Sequence, residues 1–200
     1  MDEVDSRNER SMFGISSRQT SILITHADWI FIDRVLAARQ DWKNVVELGT
    51  WYGITTLYLG MCCLLRGGFC HTFDVRDARL EYVVSVWPDN IHFYRTGVLS
   101  ETNREVVRLI SRPNTLVFFD NGDKRAEVNI YSKHIPWGGG FIVHDFPGEW
   151  EYKHIAYAVE SNGFTPFMEL EAIALGTSCR CFVRDSHAGT GQTNRELSSV

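Results

Sequence analysis

Several residues of the chain have types and spacing that suit ligand chemistry. In "VVELGTWYG" the carboxylate of Glu47 closes a short β-rich run, and Gly49 and Gly53 follow it around a turn. A dinucleotide site would show G-x-G-x-x-G, so that bare backbone and a helix N-terminus could receive a pyrophosphate. Here the pattern is E-x-G-x-x-x-G, and a carboxylate beside such a turn repels a pyrophosphate but attracts an ammonium or sulfonium centre. Asp74 ends the next β-rich run, twenty-one residues after Gly53, where a carboxylate can accept both hydroxyls of a ribose. Together these residues point to a cationic nucleoside. Taken singly, Gly49 and Gly53 can equally shape a tight turn, and Asp74 can equally cap the helix that follows it.

The elements that must position these groups alternate along the chain. "THADWIFIDRVLAARQ" opens with Thr25 three residues before Asp28, as a capping box does, and the apolar spacing predicts a helix over Ala27–Gln40. "NVVEL" reads as a strand and "TTLYLGMCCLLRGG" as a buried helix stopped by Gly67 and Gly68. Strand and helix then repeat: "FCHTFDV" and Ala78–Trp87, "IHFYRTGV" and "TNREVVRLI", "TLVFFD" and "RAEVNIYSKHI", "GFIVHDF" and "EWEYKHIAYAVESN". Short connections between alternating elements imply a doubly wound α/β fold, its mostly parallel sheet covered by helices on both faces. After Gly163 the pattern changes. "FMELEAIAL" and "CRCFVRD" read as two strands around Gly176, an antiparallel C-terminal hairpin that brings the sheet to seven strands. Residues 1–20 read as a flexible polar arm, 21–185 as one ligand-binding domain and 186–200 as a disordered Gly/Ser/Thr-rich tail.

Composition narrows the partners. With 200 residues, 44% hydrophobic and 22% charged, the chain has material for one well-cored domain. The formal charge is -5 and the twenty Lys and Arg form no run, so nucleic acid is not an expected partner. No stretch has the length of a membrane crossing, and the polar start differs from a secretory signal, which together predict a cytoplasmic protein. Five cysteines, Cys62, Cys63, Cys70, Cys179 and Cys181, make an odd and irregular set that reads as free thiols.

Four segments taken in order, "VVELGTWYG", "FDVRD", "LVFFDNGDK" and "WGGGFIVHDF", resemble the class I S-adenosylmethionine-dependent methyltransferases. The similarity is to small-molecule O-methyltransferases, the cephalosporin-hydroxylase-like and catechol-methylating branches, and spans roughly Val45 to Phe146. It implies a Rossmann-like fold with S-adenosylmethionine as cofactor. By the resemblance, Glu47, Gly49 and Gly53 surround the methionine part, Trp51 flanks it, Asp74 binds the ribose, and Val98, Leu99 and Ser100 lie near the adenine. Asp120 borders both cofactor and acceptor.

Methyl transfer to a hydroxyl needs alignment, a dry pocket and a group that takes or weakens the hydroxyl proton. Asp120 ends one strand, and His144 with Asp145 ends the next, so all three project into one crevice. In the metal-dependent branches these positions supply oxygen ligands to magnesium, which orients the acceptor. His144 stands where those branches carry an acid, and imidazole suits softer metals. The set Asp120, His144 and Asp145 therefore implies manganese, iron or zinc, or no metal with His144 as general base. Asp123 falls where relatives place a histidine and is a further catalytic candidate, with Lys124 beside it; each reads either as a base or as a residue that solvates the loop, the solvated reading being favoured for Lys124. Trp150 and Tyr152 read either as a lid over the acceptor or as packing.

The activity so implied is methylation of a small-molecule hydroxyl by a single domain able to pair as a homodimer. Two alternatives stand beside it: a dinucleotide-dependent oxidoreductase, and a non-catalytic module that binds S-adenosylmethionine.

Overall fold

The computed structural model describes residues 24–99 and 102–185. The predicted arm, the predicted tail and Ser100 lie outside the described residues. The first helix, α1 (His26–Ala38), starts as its sequence predicts: Thr25 Oγ1 accepts from the Asp28 backbone N at 3.3 Å, and Asp28 Oδ2 accepts from the Thr25 backbone N at 2.8 Å. Strands β1 (Asn44–Leu48), β2 (Cys70–Asp74), β3 (Ile91–Arg95), β4 (Thr115–Phe119), β5 (Gly140–Val143), β6 (Thr165–Phe167) and β7 (Arg180–Val183) form one sheet in the order β3-β2-β1-β4-β5-β7-β6. The first five are parallel, and β7 pairs antiparallel with both β5 and β6.

Helices α2 (Ile54–Leu65), α3 (Glu81–Val84), α4 (Arg104–Ile110), α5 (Lys124–Tyr131), α6 (Tyr152–Ser161) and α7 (Glu169–Leu175) complete the chain. Alternate residues of the central strands feed two cores. Val45, Leu116, Phe118 and Ile142 pack with α1, α2 and α7, whereas Val46, Leu48, Val117, Phe119, Phe141 and Val143 pack with α4, α5 and α6. Burial on both faces explains why these strands read as continuous apolar runs.

Register sets which residues share the edge of the sheet. Leu48 pairs with Phe73 on one side and Phe119 on the other, and Phe119 pairs with Val143. The next residue of each strand end therefore comes to one edge: Gly49, Asp74, Asp120 and His144 form a row across the carboxyl ends of β2, β1, β4 and β5. The strand order reverses between β1 and β4, where open α/β sheets hold their ligands.

Two expectations about elements are corrected. The predicted hairpin strand over Phe167–Leu175 is a strand only to Phe167; Met168 turns with φ +57° and Glu169–Leu175 is helical. Glu, Leu and Ala are strong helix formers, and burial of Ala172 against the α1 side fixes that choice. The short edge strand β6 tolerates Pro166 because it pairs only with β7. The helix predicted over Ala78–Trp87 shrinks to α3, since the Leu80 backbone N–H is taken by Tyr52 O and the helix starts only beyond it. The five cysteines are free, four of them buried. Among the described residues, no helix is long and apolar enough to cross a membrane.

Candidate active site

The β1–α2 turn is built around two glycines in the left-handed region. Gly49 has φ +108°, and a Cβ there would meet Asp120 O at 2.5 Å; its own N–H donates to Phe73 O at 2.8 Å. Gly53 has φ +81° and a Cβ would meet the Trp87 ring at 2.8 Å. Gly49 therefore lets the turn lie flat between the ends of β2 and β4, and it lines the cleft there; Gly53 shapes the turn from behind.

Asp74 lines the same cleft from the β2 end. Its Oδ2 accepts from the Trp51 backbone N and its Oδ1 from the Arg76 backbone N, each at 2.9 Å. The carboxylate is thus held in place by two amides, and each oxygen keeps a lone pair for a ligand hydroxyl. It caps no helix. Trp51, with φ +45° and 39% exposed, forms part of the cleft wall.

Glu47 sits elsewhere than its motif suggests. It is fully buried beneath the turn, with Thr56 and Thr72 hydroxyls both donating to Oε2 at 2.5 Å, and burial pushes its carboxyl up to about 8. It braces the turn and does not line the cleft. Val98 belongs to the core, its carbonyl accepting from Tyr131 Oη at 2.6 Å, and Leu99 is partly exposed; neither lines the cleft.

Asp120 and Asp145 form the opposite wall, and His144 joins them from behind it: one ligand atom from each of the three lies within 4.8 Å of the others, but His144 is buried and does not itself line the cleft. Both ring nitrogens of His144 are already engaged. Nδ1 is 2.8 Å from Asp120 Oδ1, and Nε2 is 3.5 Å from Asp28 Oδ2 on α1. Burial alone would lower the imidazole, but bonds to Asp120 and Asp28 push it up to about 10. Asp28 is buried without exposure and also accepts from Thr177 Oγ1 at 2.5 Å and Ser178 N at 2.8 Å; despite its burial, these donors and His144 hold it well below the usual carboxylate range. The pull on His144 favours the protonated ring, the opposite of what a general base needs. Asp120 differs from Asp28: burial raises it against the pull of His144 and Lys124.

Lys124, read from sequence as a solvated loop residue, is the largest departure. Its side chain is 4% exposed, and Nζ lies 2.8 Å from Asp145 Oδ2, 2.7 Å from Glu149 Oε2 and 4.0 Å from Asp120 Oδ1. Burial disfavours its charge, but the carboxylates around it hold it above the usual lysine range. Asp145 reaches it from a left-handed backbone, φ +66°. Asp123 is the N-cap of α5, accepting from Ala126 N at 3.1 Å, and so fixes the first turn that carries Lys124. It lies outside the cleft lining. Trp150 is 2% exposed, packed on Phe146 with Nε1 donating to His144 O at 2.6 Å; it is core, and no lid.

These residues do not fit a divalent metal. Both ring nitrogens of His144 already face carboxylates, and the Lys124 ammonium already stands between Asp145 and Glu149. A cationic nucleoside does fit the other wall, where the glycine turn and the anchored Asp74 carboxylate share a cleft of about 390 Å³, within the range of small-ligand sites.

A larger cavity of about 580 Å³ lies between α1, α2 and α3, lined by apolar groups such as Trp29, Leu57 and Val83, with Asp33 its one carboxylate. The smaller cleft is the one that collects the strand ends. Sequence reasoning missed Val75, Arg76, Asn121, Gly122 and Glu149 in its lining. Asn121 and Gly122 had a signal, since they directly follow Asp120 at a strand end; Glu149 had none.

No family model matches the chain, and no curated protein matches it in sequence. Solved structures do match it. CmcI in its apo form is 15% identical, with 81% of this chain and 72% of that chain covered and a TM-score of 0.64. CmcI with Mg and S-adenosylmethionine is 13% identical over 78% of this chain and 72% of that chain, TM-score 0.55. The MycE methyltransferase of the mycinamycin biosynthetic pathway, in complex with Mg, S-adenosylhomocysteine and mycinamycin VI, is 13% identical over 85% of this chain and 50% of that chain, TM-score 0.54. The seven-stranded sheet with its reversed last pair thus has the Rossmann-like fold of the S-adenosylmethionine-dependent methyltransferases.

Proposed function

We propose that the protein is an S-adenosylmethionine-dependent methyltransferase acting on a hydroxyl of a small molecule, without a divalent metal. The observation that carries this reading is the pairing of two walls across one cleft. On one side the Gly49 turn and the amide-anchored Asp74 suit a nucleoside; on the other, Asp120, Asp145 and Lys124 suit a polar acceptor. When bound, the cofactor supplies an electrophilic methyl group on a sulfonium.

The chain's own residues do the rest. Asp74 holds the ribose hydroxyls, and the flat turn at Gly49 brings backbone against the ligand. Asp120 Oδ1 is shared with His144, whereas Oδ2 has no hydrogen-bond donor among the described residues. Asp120, raised by burial, takes the acceptor hydroxyl proton at Oδ2 as oxygen bonds to the methyl carbon and the carbon–sulfur bond breaks. His144 steadies Asp120 through Nδ1 and anchors the strand end to α1 through Asp28. The acidic wall of Asp120, Asp145 and Glu149 supports the sulfonium ligand over a dinucleotide, whose pyrophosphate it would repel. MycE, which shares the fold, holds the small molecule mycinamycin VI beside S-adenosylhomocysteine. That likeness supports a small acceptor; the proposal keeps the chain cytoplasmic, acting alone or as a homodimer.

Calorimetric titration with S-adenosylhomocysteine, with NAD as control, tests the proposal. Micromolar binding of the first alone, followed by transfer of labelled methyl to a hydroxyl acceptor, is the expected outcome. Binding of NAD alone would move the protein to the oxidoreductases, and cofactor binding with Asp120→Asn as active as wild type would remove Asp120 from the chemistry.

A further inference from the structure

Mg accompanies the cofactor in CmcI and MycE, which share this fold, whereas in this chain the acidic end of the cleft already holds a cation of its own. We propose that Lys124 is the resident cation of the acceptor site, its ammonium standing between Asp145, Glu149 and Asp120 where a metal ion would otherwise bind and holding the acceptor oxygen in its place. The inference rests on the methyl-transfer reading only for that last role; the exclusion of metal stands on geometry alone.

The geometry has three parts. First, Nζ makes two short contacts, to Asp145 Oδ2 at 2.8 Å and to Glu149 Oε2 at 2.7 Å, while Asp120 Oδ1 at 4.0 Å is beyond hydrogen-bond reach. An ammonium has three N–H donors, so one remains for a ligand oxygen. Lys124 lines the cleft beside Asp120 and Gly49, where that oxygen would arrive. Second, the side chain is held, because Lys124 is the first residue of α5 and Asp123 caps that turn. Third, the remaining nitrogen ligand of the potential metal set, His144, has both ring nitrogens facing carboxylates, Asp120 and Asp28. A metal ion would have to displace the ammonium and break a contact that His144 already makes.

The test uses Mn2+ as probe, read by the loss of its free electron paramagnetic resonance signal. Wild type and Lys124→Arg should leave Mn2+ free, whereas Lys124→Gln, which releases Asp120 and Asp145, should bind it with a Kd below ~1 mM, and Asp145→Asn should abolish that gain. Binding of Mn2+ by the wild type that is lost in Asp145→Asn overturns the inference, as does a folded Lys124→Gln that gains no Mn2+. Should Lys124→Gln fail to fold by circular dichroism, the wild type and its Asp145→Asn variant decide the matter by the same readout. Titration of the wild type with S-adenosylhomocysteine reports separately on the methyltransferase reading, so a failure of one is not mistaken for a failure of the other.

Discussion

His144 Nε2 lies 3.5 Å from Asp28 Oδ2, so a buried histidine–carboxylate contact joins the first helix of the described residues to the end of the fifth strand. The pair gives stability a defined pH dependence. With the folded imidazole pushed up to about 10 from its ordinary 6.5, the unfolded chain loses its proton first as pH rises. The stabilisation is complete below pH 6.5 and is lost between there and about 10. Thermal melts of the wild type should fall across that window, and those of His144→Gln should start lower and run flatter. A wild-type melting temperature that holds level from pH 6.5 to 10 would rule out the imidazolium.

Glu47 should contribute an earlier and separate slope. Its carboxyl is raised to about 8 from 4.5 by burial, so the folded state holds a proton that the unfolded chain releases. Stability from this source is present below pH 4.5 and declines as pH rises to about 8. Glu47→Gln, which keeps the shape and abolishes the ionisation, should match wild type near pH 5 and exceed it near pH 8. Urea melts at the two pH values measure this, and a variant equally destabilised at both would mean that Glu47 is held as a carboxylate.

The two acids also show what the sequence disclosed and what it concealed. Each central strand is an apolar run ended by a chemical residue, so the row of Gly49, Asp74, Asp120 and His144 was legible once the strands were placed in parallel. The capping box at Thr25 and Asp28 was legible too, being local. That Asp28 also meets His144 and Thr177 was not, because those partners come from distant segments. Lys124 was misread for the same reason: it follows a turn, as solvated lysines do, and its partners Asp145 and Glu149 arrive from the loop beyond β5. Glu169–Leu175 failed differently, since a short apolar run fits either period and only packing on α1 selects the helix.

Gly49→Ala should be costly in both folding and binding. The left-handed φ strains any other residue, and the added Cβ would meet the Asp120 carbonyl oxygen, which cannot withdraw without breaking the β1–β4 register. A loss of about 2–3 kcal/mol in urea denaturation is expected. Unfolding within about 0.5 kcal/mol of wild type, the usual spread of neutral substitutions, would show that the turn is looser than its contacts indicate.

Asp74→Asn separates the cofactor wall from the acceptor wall. The amide keeps the size of the side chain and retains one oxygen for the Trp51 or Arg76 backbone N–H, so folding should change little. The charge that strengthens hydrogen bonds from ribose hydroxyls is gone, and such bonds are worth about 1.5–3 kcal/mol. Calorimetric affinity for S-adenosylhomocysteine should therefore fall by about tenfold or more. Adenosine, which presents the same ribose without the methionine part, should lose affinity by a similar factor, because the lesion lies at the shared sugar. If the substitution weakened S-adenosylhomocysteine but left adenosine unaffected, Asp74 would be acting on the amino-acid end of the ligand, and the orientation assigned to the cofactor in the cleft would have to be reversed.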